Sequence, residues 1–145
     1  MILDTTYILP IAKIDIDTDL LTLIDDGKVN LSLDNVRISM ISIFELQARS
    51  AKYKLQPKLT IDAVEIINST LKIEPFYNPS VVELADTLSH EMKDYIDCLI
   101  LATAIALKED LITEDSKIMN IRDAIKRKYG VSIFNYKEVK KLMSV

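Results

Sequence analysis

Short apolar runs and stretches of helical spacing alternate along the whole of this chain, and that alternation limits its fold more than any other feature. The runs are Met1–Leu3, Val36–Met40, Lys72–Phe76, Asp110–Thr113 and Val131–Asn135. V-R-I-S-M reads as a strand by its β-branching and its period of two. Between the runs, spacing predicts helices over Thr5–Lys13, Thr18–Asp26, Ser42–Leu55, Lys58–Leu71, Pro79–His90, Tyr95–Glu109 and Ser116–Tyr129, with a last one over Tyr136–Met143. Gly27 and Gly130 stand where helices stop, and Pro79 stands where one starts. The motif S-I-F-E places Ser42 and Glu45 as a capping box. Tyr95–Glu109 is apolar on nearly every side, so it is expected to lie against a sheet. Strands that alternate with helices specify an α/β protein with a mostly parallel sheet.

Composition narrows the class. A chain of 145 residues without repeats or linkers suits one domain, 1–145, with a real core. The longest apolar stretch, Cys98–Leu107, is too short to span a bilayer. No basic stretch precedes Asp4, so no signal peptide is expected. The single cysteine forms no internal disulfide, and an intracellular, cytoplasmic setting is expected. The net charge of −4 hides an asymmetry. Residues 1–116 hold 20 acidic and 10 basic side chains, whereas 117–145 hold 2 acidic and 8 basic. Two solvated faces explain this plainly, and a cation site beside a path for phosphates explains it more sharply.

In parallel α/β sheets, ligands bind outside the carboxyl ends of the strands. Asp4 follows M-I-L and is expected at that edge. Asp115 follows L-I-T by one residue. Glu45 and Asp97 fall in the first turns of the helices beginning near Ser42 and Tyr95. Four acids from distant segments are thus expected in one crevice. Asp4 and Asp115 could instead cap the helices that follow them. Glu45 could close its capping box or pair with Arg49 one turn on. Asp97 is harder to explain structurally, because its helical neighbours Ile100, Leu101, Ala104 and Ile105 are all apolar. Its only local basic neighbour on that face is Lys93. A carboxylate there is costly to bury without a partner, and a shared cation is the natural compensation.

Carboxylate oxygens suit a hard dication, Mg²⁺ or Mn²⁺. His90 and Cys98 cannot make a soft-metal site, and no nucleophile–base constellation is present. Such ions activate water in phosphodiester hydrolysis. D-I-D-T-D (Asp15, Asp17, Asp19) opens like a calcium loop but has Leu20 where the turn glycine is required, so a solvated loop is expected. Tyr95 is expected to pack at its helix start.

The ordered set M-I-L-D-T-T, S-I-F-E-L, D-C-L-I-L-A-T-A and L-I-T-E-D resembles the motifs of the PIN-domain family of metal-dependent nucleases, and spans residues 1–116. The resemblance implies a three-layer α/β/α domain around the parallel sheet. It implies Asp4, Glu45, Asp97 and Asp115 as metal ligands and catalytic acids. Thr6 and Thr113 match hydroxyl positions that support the site. The sequence is most similar to compact VapC-type toxin ribonucleases, which implies an RNA substrate, a small antitoxin partner and a homodimer. Where the family often has a basic residue before the last Asp, this chain has Glu114, which adds negative charge near the phosphate path. Arg122, Lys126 and Lys128 on the next helix are expected to compensate, with Arg122 and Lys126 on the substrate. A non-catalytic PIN-fold scaffold or RNA-binding protein, or an RNA-processing nuclease outside toxin–antitoxin systems, is the alternative.

Overall fold

The computed structural model describes all of residues 1–145. Five strands, β1 (Ile2–Leu3), β2 (Arg37–Ser39), β3 (Lys72–Glu74), β4 (Leu111–Ile112) and β5 (Ile133–Phe134), form one sheet in the order β3-β2-β1-β4-β5. Every pairing is parallel. β1 is central and pairs with both β2 and β4. The helices are α1 (Leu20–Asp25), α2 (Met40–Lys52), α3 (Pro57–Thr70), α4 (Pro79–Ser89), α5 (Tyr95–Leu107), α6 (Ser116–Asn120), α7 (Arg122–Tyr129) and α8 (Tyr136–Leu142).

The strand period of two makes the layers. Ile2 and Leu111 face one core with α4, α5, α6 and α7. Leu3, Ile38 and Ile112 face the other with α1, α2, α3 and α8. Helices therefore cover both faces, giving the expected three-layer α/β/α arrangement. α5 is buried almost throughout, from Cys98 to Ile105, because it lies in the middle of its layer. No helix is long and apolar enough to cross a membrane.

Several boundaries differ from the sequence reading. The segment after β1 is a 3-10 helix, Thr5–Ala12, which contains Pro10; a proline has no amide hydrogen to continue an α-helical ladder. α2 starts at Met40 and is capped by Ser39, whose hydroxyl accepts from Ile41 N at 3.3 Å. Ser42 and Glu45 are thus inside the helix and form no capping box. Ser116–Tyr129 is two helices, broken where Ile121 leaves helical geometry at φ −103° and ψ 5°. Asp15 and Asp17 are solvated, and Asp19 caps α1 by accepting from Thr22 N. Tyr95 does not pack at its helix start: it is 46% exposed.

Candidate active site

The sheet ladder runs one residue past β1 and β4. Asp4 N donates to Ile112 O at 3.0 Å, and Thr113 N donates to Phe134 O at 2.9 Å. The backbone of both residues is therefore held at the carboxyl edge. There the Thr113 hydroxyl donates to Asp4 Oδ2 at 2.5 Å and accepts from Asp115 N at 3.0 Å. One threonine thus links two acids that lie far apart in sequence.

Asp4 is buried, and its Oδ1 accepts from Thr5 N at 2.6 Å, so it caps the 3-10 helix while facing the crevice. Asp115 likewise caps α6, accepting from Ile118 N at 2.9 Å. For both, the capping reading and the site reading hold together. Glu45, half-buried on α2, accepts from the Thr5 hydroxyl, which also lies 3.0 Å from Ser42 Oγ. It forms no ion pair with Arg49. Asp97 is half-buried near the start of α5, and its carboxylate accepts no hydrogen bond from the protein.

The electrostatics record the convergence. Burial pushes the Asp97 carboxyl up to about 7, and the charges of Asp94, Asp115, Asp4 and Glu45 push it the same way. Burial raises Asp4 and Glu45 too, against the hydrogen bonds from Thr113 and Thr5. The Arg49 guanidinium opposes both rises from beyond salt-bridge range. The four acids therefore share one neighbourhood, but no three side chains are gathered tightly enough to hold an ion between them. Thr113 and the capping amides draw Asp4 and Asp115 toward internal donors. The donor set, carboxylates and hydroxyls only, nevertheless suits a hard dication.

Other residues depart from expectation. Thr6 makes no side-chain hydrogen bond, and Thr5 is the threonine that reaches Glu45. Two adjacent threonines follow Asp4, and spacing alone does not choose between them. Asp94, which caps α5 through Ile96 N at 2.9 Å, is a further acid that the sequence reading missed. Its signal was there: it stands directly before the helix that carries Asp97. Arg122 is tied to Glu138 at 2.8 Å, and Lys126 to Ser132 Oγ at 2.8 Å. Neither makes an ion pair with the four acids.

A family model for the PIN domain matches residues 1–124. This chain belongs to the PIN domain family. Among solved structures, VapBC2 from Rickettsia felis, bound to a DNA fragment from its promoter, is similar at 23% identity and a TM-score of 0.62, over 92% of this chain and 96% of that one. FitAcB from Neisseria gonorrhoeae follows at 23% identity and 0.59, over 94% and 97%. A toxin-antitoxin complex from Klebsiella pneumoniae has 23% identity and 0.57, over 83% and 91%. At such identities these PIN-fold likenesses speak for the fold alone. No match was found among curated protein sequences.

Proposed function

We propose that this PIN domain is a Mg²⁺- or Mn²⁺-dependent endoribonuclease, the toxin of a toxin–antitoxin pair. The observation that carries the reading is Asp97: a half-buried carboxylate with no protein partner, pushed up to about 7 by burial and by the acids around it. An uncompensated negative site of this kind is a functional-site candidate, because it is costly to keep unless a cation comes to it.

Asp4, Glu45, Asp97 and Asp115 would hold the ion. Mg²⁺ commonly takes only one or two protein carboxylates and keeps water for the rest, so a closed cage is not needed. When bound, the ion lowers the pKa of its water and offsets charge on the phosphate. The chain's own contribution is orientation. Thr113 aims Asp4 and fixes the Asp115 amide, and Thr5 aims Glu45. Arg49, whose positive charge acts on Asp4 and Glu45, is available to a phosphate oxygen. One solved neighbour is a toxin–antitoxin complex, and the proposed role includes a small inhibitory protein. Exposed Phe44, Tyr53 and Ile61 on and beside α2 and α3 offer surface for it or for a second copy.

The test is cleavage of single-stranded RNA, with Mg²⁺ or with chelator, by wild type and Asp97→Asn. Metal-dependent cleavage by the wild type that vanishes in the variant supports the reading. Equal cleavage by both, or none by either while RNA still binds, favours a non-catalytic PIN-fold protein.

A further inference from the structure

Glu114 stands between the two residues that shape the proposed site, Thr113 and Asp115, and its side chain has a separate task. Glu114 Oε1 accepts from Tyr7 Oη at 2.6 Å and from Tyr136 N at 2.6 Å. Tyr7 is fully buried in the core behind β1, so its hydroxyl is a fixed anchor. Tyr136 is the first residue of α8, and its amide is one that no helix carbonyl can take. A single oxygen therefore joins the core, the turn after β4 and the start of the last helix. β5 and α8 lie beyond the residues that the family model matches. They are held from the other side as well: Thr113 N donates to Phe134 O, and Glu138 of α8 is bonded by Arg122.

We infer that Glu114 is a positioning residue: by tying the Thr113–Asp115 turn to Tyr7 and to the α8 amide, it makes the C-terminal β5–α8 unit set the geometry of the acid site. The inference rests on the nuclease reading. It gives Glu114 a task beside the negative charge that it adds near the phosphate path. The turn carries one hydroxyl that serves two acids, and a turn free to rock would move Asp115 and release Asp4 together. Groups that orient functional carboxylates are worth about 10–100-fold in activity when removed.

The test uses four single variants of the whole chain. Glu114→Ala removes the acceptor. Tyr136→Pro removes the α8 amide hydrogen and spares the helix, since proline is tolerated at a first helical position. Asn135 already has the extended backbone that a following proline requires, at φ −98° and ψ 174°. Tyr136→Ala controls for the lost ring. Glu114→Gln keeps an oxygen that accepts both bonds. The expected result is a kcat about tenfold lower in Glu114→Ala and Tyr136→Pro at unchanged KM for RNA. Tyr136→Ala and Glu114→Gln are expected within about threefold of wild type.

Wild-type kcat in Glu114→Ala and Tyr136→Pro overturns the inference. So does a loss in Glu114→Gln as large as in Glu114→Ala. If Glu114→Ala does not fold, Tyr136→Pro against Tyr136→Ala decides alone. If the wild type cuts no RNA, the nuclease reading fails separately, and amide hydrogen exchange then reads the tether. Exchange at Asp115 N about tenfold faster in Tyr136→Pro than in Tyr136→Ala supports it, at the low end of what one lost hydrogen bond to a carboxylate is worth. Equal exchange overturns it.

Discussion

The two ends of the sheet treat acidic side chains in opposite ways. At the end where β1, β2 and β4 begin, the Met1 ammonium meets Glu109 at 2.7 Å, and Arg37 lies 3.8 Å from the same carboxylate while also reaching Glu74, the last residue of β3. Glu109 there has two cations within the molecule, and its neighbour Asp110 accepts from Ser132 N at 2.8 Å. At the end where the strands finish, Asp4, Glu45, Asp97 and Asp115 have none within salt-bridge range. Three of them rest on hydroxyls and amides, and Asp97 rests on nothing. Hydrogen bonds to a carboxylate stabilise it without cancelling its charge. Glu109 is thus compensated from inside, and the four acids of the crevice are arranged so that compensation must come from outside.

The largest expected effect that sharpens this contrast is on RNA cleavage. Asp97→Asn should slow it by about a hundredfold or more, since losing a residue that holds the ion should cost at least as much as losing one that only orients such a residue. Arg37→Ala should change the rate by less than about threefold, since it acts on the opposite end. Equal losses in the two variants would erase the distinction.

Ligand stabilisation comes next. Adding Mg²⁺ at about a hundred times its dissociation constant should stabilise wild type and Arg37→Ala alike by about 2.7 kcal/mol. Asp97→Asn should gain much less, as read by thermal melts across a Mg²⁺ titration. In the absence of metal, Arg37→Ala should cost about 2 kcal/mol in urea unfolding, because Glu74 and Glu109 lose a partner while partly buried. A neutral result would make the paired end decorative.

The smallest effect concerns pH. Asp97 holds its proton more tightly in the folded state, at about 7, than in the unfolded chain, at about 3.9. Below the unfolded value both states are protonated, and wild type and Asp97→Asn should be equally stable. As pH rises from there to about 7, the folded wild type must give up a proton it prefers to keep, so its stability falls relative to the variant. Above that, in chelator, Asp97→Asn should melt higher by about 3 °C. Equal melting at pH 8 would deny that burial and the neighbouring acids disfavour the charged form of Asp97.

Much of this was legible in the sequence. The alternation of apolar runs with helices gave an α/β sheet, because each strand buries both faces and each helix buries one stripe. Asp97 stood out for a local reason, a charge on the apolar side of its own helix. What escaped notice depended on distant or single-residue choices. Ser39 and Ser42 are both plausible caps, and only the end of β2 decides that α2 begins at the first of them. Thr5 and Thr6 differ by one step around the 3-10 helix, and that step turns one hydroxyl toward Glu45. Glu114 looked out of place because its partners, Tyr7 and Tyr136, lie 107 and 22 residues away. The basic helix broke at Ile121, where no proline or glycine announces a stop.

The bond from Thr113 to Asp4 joins residues 109 positions apart, across the central pairing of β1 with β4. Contacts that distant close late, after the intervening chain has been made and its loops have been gathered. A polypeptide still emerging from the ribosome, its first hundred residues already free, has an Asp4 with no Thr113 to meet. Whatever chemistry the hollow performs must wait until Thr113 has been made and has folded against Asp4.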